Sequence, residues 1–224
     1  MTITQDDRLA VYKRRNIFTP QVITMLRPYA SMHLFLVAVL LVLPPSGREG
    51  AAQNSVTSAR PAAWARPVSV KGVPNLHQVE SNFYRSAQPE AQGFKILATQ
   101  YGVRTVVSLR AFNSDAPLTR GLNLKLVRFP VHTWHIERED VVGALRTLRN
   151  ATKGGPVLLH CQHGADRTGL IMALYRILFE GWSKQAASDE MLNGEFGYHA
   201  VWGNIPRYIR NVDVAQLKRE VGVE

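Results

Sequence analysis

The sequence predicts an α/β fold, with a central, mostly parallel sheet flanked by helices and a helical C-terminal half. Three observations carry this reading. Short apolar, β-branched runs such as TVVSL (105–109) and VLLH (157–160) recur within residues 74–224. Segments of helical spacing lie between them, with glycine or proline at the junctions. Beyond Gly169 the patterns are helical only.

Taken in order, NFYRS (82–86) reads as a short strand. Pro89 opens a helix that runs to Tyr101 and stops at Gly102. Thr105 to Leu109 is β-branched and strand-like. LKLVRF (124–129) alternates and ends at Pro130. Asp140 to Arg149 places Val141, Val142, Ala144, Leu145 and Leu148 on one helical face, with Glu139 or Asp140 near its N-terminus. Gly154-Gly155-Pro156 turns the chain into Val157–His160, a buried strand. Gly169 to Phe179 is a long apolar helix, followed by helical segments at Lys184–Leu192 and around Trp202–Ile209. NGEFGYHAVWGNIPRYIR (193–210) reads as core packing plus loops, or as a substrate-facing wall.

Composition bounds the function without choosing it. The 224 residues suit one domain plus an extension, and 46% apolar with 20% charged residues is ordinary for a globular chain. The net charge of +10 favours anionic partners. One cysteine, Cys161, excludes an intrachain disulfide and a Cys-rich zinc site.

The N-terminal region is expected to lie outside the domain. LFLVAVLLVL (34–43) follows Lys13, Arg14, Arg15 and Arg27 and precedes PPSGREGAA. A basic stretch, an apolar run and then small residues is the order of an export signal, with cleavage after Ala52. An uncleaved anchor at 34–43 is the alternative, and Met25 or Met32 offers a later start. The expected location is therefore outside the cytoplasm, in the periplasm, with membrane attachment only through that anchor. Residues 1–52 hold six basic and three acidic residues, so the remainder keeps +7 of the +10. Residues 53–73 are rich in Ala, Ser, Pro and Arg without a period and read as a linker; 74–224 form the domain.

The chemistry concentrates in LLHCQHGADRTGL (158–170). A loop between a strand end and a helix N-terminus turns backbone N–H groups inward, and the helix dipole adds positive potential. A cysteine at the base of such a cradle is poised as a thiolate. Arg167 supplies a planar fork for two phosphate oxygens. Each residue alone has a plainer reading: Cys161 as a small core residue, Arg167 as a surface charge, Gly164 and Gly169 as turn formers. The order Cys-x5-Arg-Thr between strand and helix supports thiolate attack on a phosphate monoester, giving a phosphocysteine that water hydrolyses.

HCQHGADRTG resembles the HCxxGxxR[ST] loop of the cysteine-dependent protein tyrosine phosphatase superfamily. FYRSAQP (83–89), TVVSLR (105–110) and ALYRILFEGWSKQAASDEM (173–191) resemble its small dual-specificity-type members, exported bacterial ones above all. The resemblance covers roughly residues 75–210. It implies Cys161 as nucleophile, Arg167 as phosphate ligand, His160 as support for the thiolate, and Thr168 as the hydroxyl easing its departure. It also implies a phosphate-binding loop whose backbone cradle is Gln162, His163, Gly164, Ala165 and Asp166, closed by Gly169. No cofactor or metal is implied. The partner is a phosphorylated protein or another anionic phosphate ester, and the chain is expected to act as a monomer.

One part departs from the family. Its general acid is an aspartate on the loop that here reads FPVHTWHIERED (129–140), at the position of Trp134. No carboxylate lies between Asp115 and Glu137. Asp166 is the expected substitute, an arrangement that the myotubularin lipid phosphatases also resemble; Glu137, Glu139 and Asp140 are the alternatives.

Rival readings are fewer. His132-x-x-His135 and His160-Cys161-x-His163 offer metal ligands in two clusters, but neighbours on a strand point to opposite faces and Arg167 repels a cation. A basic nucleic-acid module would need zinc-finger or stacking-aromatic motifs that this sequence lacks. Phosphoinositides or inositol phosphates are the alternative substrates to phosphoproteins, and a catalytically weak phosphate-binding module is the alternative of another class.

Overall fold

The computed structural model describes residues 60–223. The apolar run at 34–43, the cleavage site after Ala52 and residues 53–59 of the expected linker lie outside them.

Six strands form one sheet: β1 (Arg66–Pro67), β2 (His77–Glu80), β3 (Phe83–Ser86), β4 (Thr105–Ser108), β5 (Lys125–Arg128) and β6 (Val157–His160). Their spatial order is β1-β2-β3-β6-β4-β5. The pairs β3–β6, β6–β4 and β4–β5 are parallel, and β1–β2 and β2–β3 are antiparallel. The mostly parallel α/β sheet is as the sequence predicts, and β6 is its centre because VLLH has no polar face to leave in water.

Side-chain alternation along the strands builds two cores. Tyr84, Val106 and Leu158 face one side and pack with Phe94 and Leu97 of α1 (Ala91–Thr99). Phe83, Val107, Val157 and Leu159 face the other. That side is covered by α2 (Arg138–Gly154), α3 (Asp166–Phe179), α4 (Lys184–Asn193), α5 (Asn204–Asn211) and α6 (Val214–Val221). Each buried Leu, Val or Phe contributes roughly 1.5–3 kcal/mol.

Helix α3 is apolar nearly all round and therefore lies inside, buried along its length. Its one basic residue in the last turn, Arg176, needs partners there. It bonds both oxygens of Glu190 at 2.9 Å, reaches Glu180 at 2.6 Å and lies over the Trp182 ring. Gly169 lets α4 approach, since a Cβ there would stand 2.6 Å from Met191 Cγ.

The linker assignment is corrected for residues 60–73, which belong to the folded unit. Ala65 is buried and its N–H donates to Glu190 at 2.7 Å, Arg66–Pro67 pairs with β2, and Val73 joins the α1 core. Their buried apolar residues, Ala65 and Val73, are too far apart to show a period, and Val68 and Val70 pack only partly against the core. Other differences concern elements: strands β1 and β2 were not expected. Helix α2 extends to Arg138–Gly154, α3 starts at Asp166, and the C-terminal segment resolves into α5 and α6.

Candidate active site

Parallel pairing places the site. Ser86, His160 and Ser108 are register partners at the C-terminal ends of β3, β6 and β4. The three loops that follow therefore open at one edge of the sheet, where open α/β sheets bind ligands. Cys161 is the first residue beyond β6 and is buried.

The loop from Cys161 to Ala165 is pinned from outside. Gln162 carbonyl accepts the Gln88 N–H at 3.1 Å, His163 carbonyl accepts Asn75 Nδ2 at 2.8 Å, and Gly164 carbonyl accepts Arg85 Nη2 at 2.8 Å. Three successive carbonyls face outward. The planar trans peptide then turns the N–H groups of His163, Gly164 and Ala165 to the opposite side, toward the inside of the loop. That is an anion-binding concavity, completed by the N-terminus of α3. Gly164 is required where it stands: its φ is +73°, and a Cβ would lie 2.5 Å from the Ala87 nitrogen and the Ser86 carbonyl carbon.

Arg167, in the first turn of α3, reaches back to the Leu109 carbonyl at 3.4 Å, and its Nε is buried with no partner among the described residues. The Thr168 hydroxyl is likewise buried with no partner among the described residues. Both groups keep hydrogen-bonding capacity at the base of the loop.

His160 is fully buried. Its Nε2 lies 2.9 Å from Asp115 Oδ2 and its Nδ1 3.2 Å from the Cys161 carbonyl. Both ring nitrogens thus face oxygen atoms, which fixes the orientation of the ring. Gln88 donates to Asp115 Oδ1 at 3.0 Å, and Arg110 donates to Gln88 at 2.6 Å. Burial raises the Asp115 carboxyl, but the His160 hydrogen bond and charge, with Gln88 and Arg110, outweigh it and leave it below the ordinary carboxylate value.

A cleft of about 220 Å³ opens beside the loop, lined by Arg110, Phe112, His132, Thr133, Gln162 and Arg167, with Trp134 at its edge. His132 lies between Phe112 and Trp134, its ring tilted against both, at 5.7 and 4.7 Å between centroids. Phe112 and Trp134 are themselves exposed.

The candidate acids are placed as follows. Asp166 is buried, and both of its carboxylate oxygens are engaged by His199. Glu137 is exposed and lies 3.2 Å from His135. Glu139 and Asp140 sit in the first turn of α2, where burial and the charge of Glu137 push the Asp140 carboxyl up, with His132 opposing.

The two-cluster metal set is not assembled, since His135 pairs with Glu137 and His160 with Asp115. Among the described residues, the group that does come together is His163, Asp166 and His199, with ligand atoms within 4.8 Å of one another.

Sequence reasoning missed Asp115, Gln88, Arg85, Asn75 and His199. Of these, Arg85 and Gln88 lay in FYRSAQP (83–89) and His199 in the stretch 193–210, both singled out for other reasons.

The chain is similar in sequence and fold to known proteins. A family model described as DSP-PTPase phosphatase fused to NAD+ kinase matches residues 62–200. The chain is 38% identical over 196 residues to the dual specificity protein phosphatase TpbA of Pseudomonas aeruginosa, covering 85% of each chain. It is 28% identical over 159 residues to the inositol diphosphatase DSP5 of Arabidopsis thaliana, covering 65% of this chain and 73% of that one. The crystal structure of a Cys→Ser variant of P. aeruginosa TpbA in complex with phosphotyrosine superposes with a TM-score of 0.65 at 37% identity, over 73% of this chain and 98% of that one.

Proposed function

The chain belongs to the DSP-PTPase family of cysteine-dependent phosphatases, and from that premise we propose that it hydrolyses phosphotyrosine-type phosphate monoesters outside the cytoplasm. The observation that carries the chemistry is the placement of Cys161 at the base of a loop whose N–H groups turn inward and which Arg167 closes. Cys161 attacks phosphorus, and the loop N–H groups with Arg167 hold the equatorial oxygens as charge builds on them. His160, its ring fixed by Asp115, lies directly before Cys161 and supports the thiolate. The unpartnered Thr168 hydroxyl supports thiolate departure in the second step.

The preference for an aryl ester rests on the aromatic rim. Phe112, His132 and Trp134 border the cleft that contains Arg167, so a phenyl ring bound by its phosphate has faces to stack on. The phosphotyrosine bound to the related P. aeruginosa protein supports the same class. Export is supported by the apolar run at 34–43 alone.

The test is a substrate panel with the full chain: a phosphotyrosine peptide, a phosphoserine peptide, an inositol phosphate and an inositol pyrophosphate. We expect the highest kcat/KM on phosphotyrosine and loss of turnover in Cys161→Ser, with vanadate or phosphate binding retained. Preference for an inositol phosphate or pyrophosphate would overturn the substrate assignment. Turnover that survives Cys161→Ser would overturn the mechanism. Fractionation reads the location, and a full-length product in the cytoplasm would contradict export.

A further inference from the structure

Three side chains outside the cleft converge beside the phosphate loop. One ligand atom each from His163, Asp166 and His199 lies within 4.8 Å of the other two. His163 belongs to the loop itself and Asp166 opens α3, while His199 comes from the loop 194–203 that joins α4 to α5. None of the three lines the cleft that contains Arg167. The two loops are tied together twice. Asn75 Nδ2 donates to the His163 carbonyl at 2.8 Å and to the Phe196 carbonyl at 2.9 Å. The His199 backbone N–H donates to Asp166 Oδ1 at 2.9 Å, which leaves its ring Nδ1 2.9 Å from Oδ2. Phe196, three residues before His199, is buried against Arg85 and His77 and anchors the approach.

Asp166 carries a second observation. Its side chain is 5% exposed, yet His199 is its one ion-pair partner among the described residues. A buried carboxylate calls for positive charge, and the N-terminus of α3 supplies only a partial one. Both histidines are exposed, so a cation can enter from water. Two imidazoles and a carboxylate are a donor set for zinc-class divalent cations, whereas magnesium and calcium take oxygen ligands. A tetrahedral zinc-class ion, with ligands at about 2.0–2.2 Å, spaces them roughly 3.3–3.5 Å apart. A set within 4.8 Å reaches that spacing by small rotations of the two exposed rings. The metal replaces the hydrogen bond between the His199 ring and Asp166, and the bond from the His199 backbone N–H remains to orient the carboxylate. The guanidinium of Arg167 reaches to the Leu109 carbonyl instead, at 3.4 Å.

We propose that His163, Asp166 and His199 form a binding site for a zinc-class divalent cation, with water in the fourth position. Two of the ligands come from the phosphate loop and its helix. The bound cation therefore cross-links that loop to the loop 194–203 and stabilises the folded chain. The site uses neither the Cys161 thiolate nor the substrate, and it stands whichever phosphate ester the protein hydrolyses.

The experiment uses the full chain without a histidine tag, stripped of metal by a chelator. Calorimetry with zinc should give one cation per chain, with a micromolar or tighter Kd, while magnesium and calcium give no binding. Zinc at about a hundredfold excess over Kd should raise Tm by about 5–10 °C. Cobalt in place of zinc should give visible bands without the sulfur-to-metal charge-transfer band of a thiolate ligand. His163→Ala and His199→Ala, both at exposed positions, should each weaken zinc binding at least about tenfold, which halves the Tm rise at the same zinc concentration. Cys161→Ser and His135→Ala should bind zinc as the wild type does. Absence of zinc binding to the wild type would overturn the proposal. So would an affinity unchanged in either His163→Ala or His199→Ala, or binding that disappears in Cys161→Ser.

Discussion

Arg85 lies beneath the phosphate loop, fully buried, and donates from Nη2 to the carbonyl of Gly164 at 2.8 Å. Its guanidinium carbon stands 3.6 Å from the centroid of the Phe196 ring, a cation–π contact shielded from water. Burial pulls the guanidinium down to about 10, with the Glu190 and Cys161 charges opposing, so it stays charged at neutral pH. A cation is thus held below the loop while Arg167 closes it from α3.

Arg85→Met should leave the Gly164 carbonyl unpaired and destabilise the fold by about 1–3 kcal/mol. Urea unfolding measures the loss, and kcat should fall with it because the loop is no longer held. Arg85→Lys keeps the charge but loses the planar fork, so it should recover only part of both. Unchanged stability and kcat in Arg85→Met would contradict this role.

Asp115→Asn should destabilise the protein at neutral pH by about 1–3 kcal/mol through the bond to His160. The sign of its pH dependence follows from a folded value below the unfolded one. Such a carboxylate stabilises above its unfolded value of about 3.9, and the contribution is lost as pH falls through the lower folded value. The stability gap between wild type and Asp115→Asn should therefore be full near pH 6 and shrink below about pH 4. A gap that stays constant down to pH 2 would remove the charge from the account.

Gly164→Ala asks a β-carbon to occupy space 2.5 Å from backbone atoms of Ser86 and Ala87, at φ +73°. The loop must move or the strand end must. We expect a stability loss of about 1–3 kcal/mol and a rate loss on every ester tested, including p-nitrophenyl phosphate. Vanadate affinity, measured by calorimetry, should fall as well.

Trp134→Ala removes one wall of the aromatic rim. An aromatic pair contributes about 0.5–1.5 kcal/mol beyond area burial, so KM for a phosphotyrosine peptide should rise by roughly two- to twelvefold. KM for an alkyl ester should change little. Equal changes for both would assign Trp134 to loop packing.

The part of the site written within ten residues of chain was legible in the sequence. Cys161, Gly164, Arg167 and Thr168 announce themselves because one strand-to-helix loop brings them together. What long-range pairing brings together was not. Asp115 stands 45 positions before His160 and meets it where the loop after β4 folds over the end of β6. Arg85 reads as one polar residue in a short strand; its burial comes from β6 on one side and Phe196 on the other. His199 had no signal of its own, since its meaning lies in a hydrogen bond to Asp166, 33 positions earlier. The fold was easier because VLLH, TVVSL and the α3 run state their burial through composition. Residues 60–73 were read as a linker because their buried apolar residues, Ala65 and Val73, are too far apart to show a period, and hydrogen bonds through Arg60 and Ala65 supply much of the attachment.

The solitary thiol has a consequence for oxidative inactivation. A sulfenic acid at Cys161 has no second cysteine in the sequence with which to condense. Peroxide damage therefore cannot be stored as a disulfide between two cysteines of this sequence, and the sulfenic acid is left to capture by an external thiol, condensation with a backbone nitrogen, or further oxidation to the irreversible sulfinic acid. Protection through a disulfide thus belongs to the surroundings of this protein, because the second sulfur has to come from there.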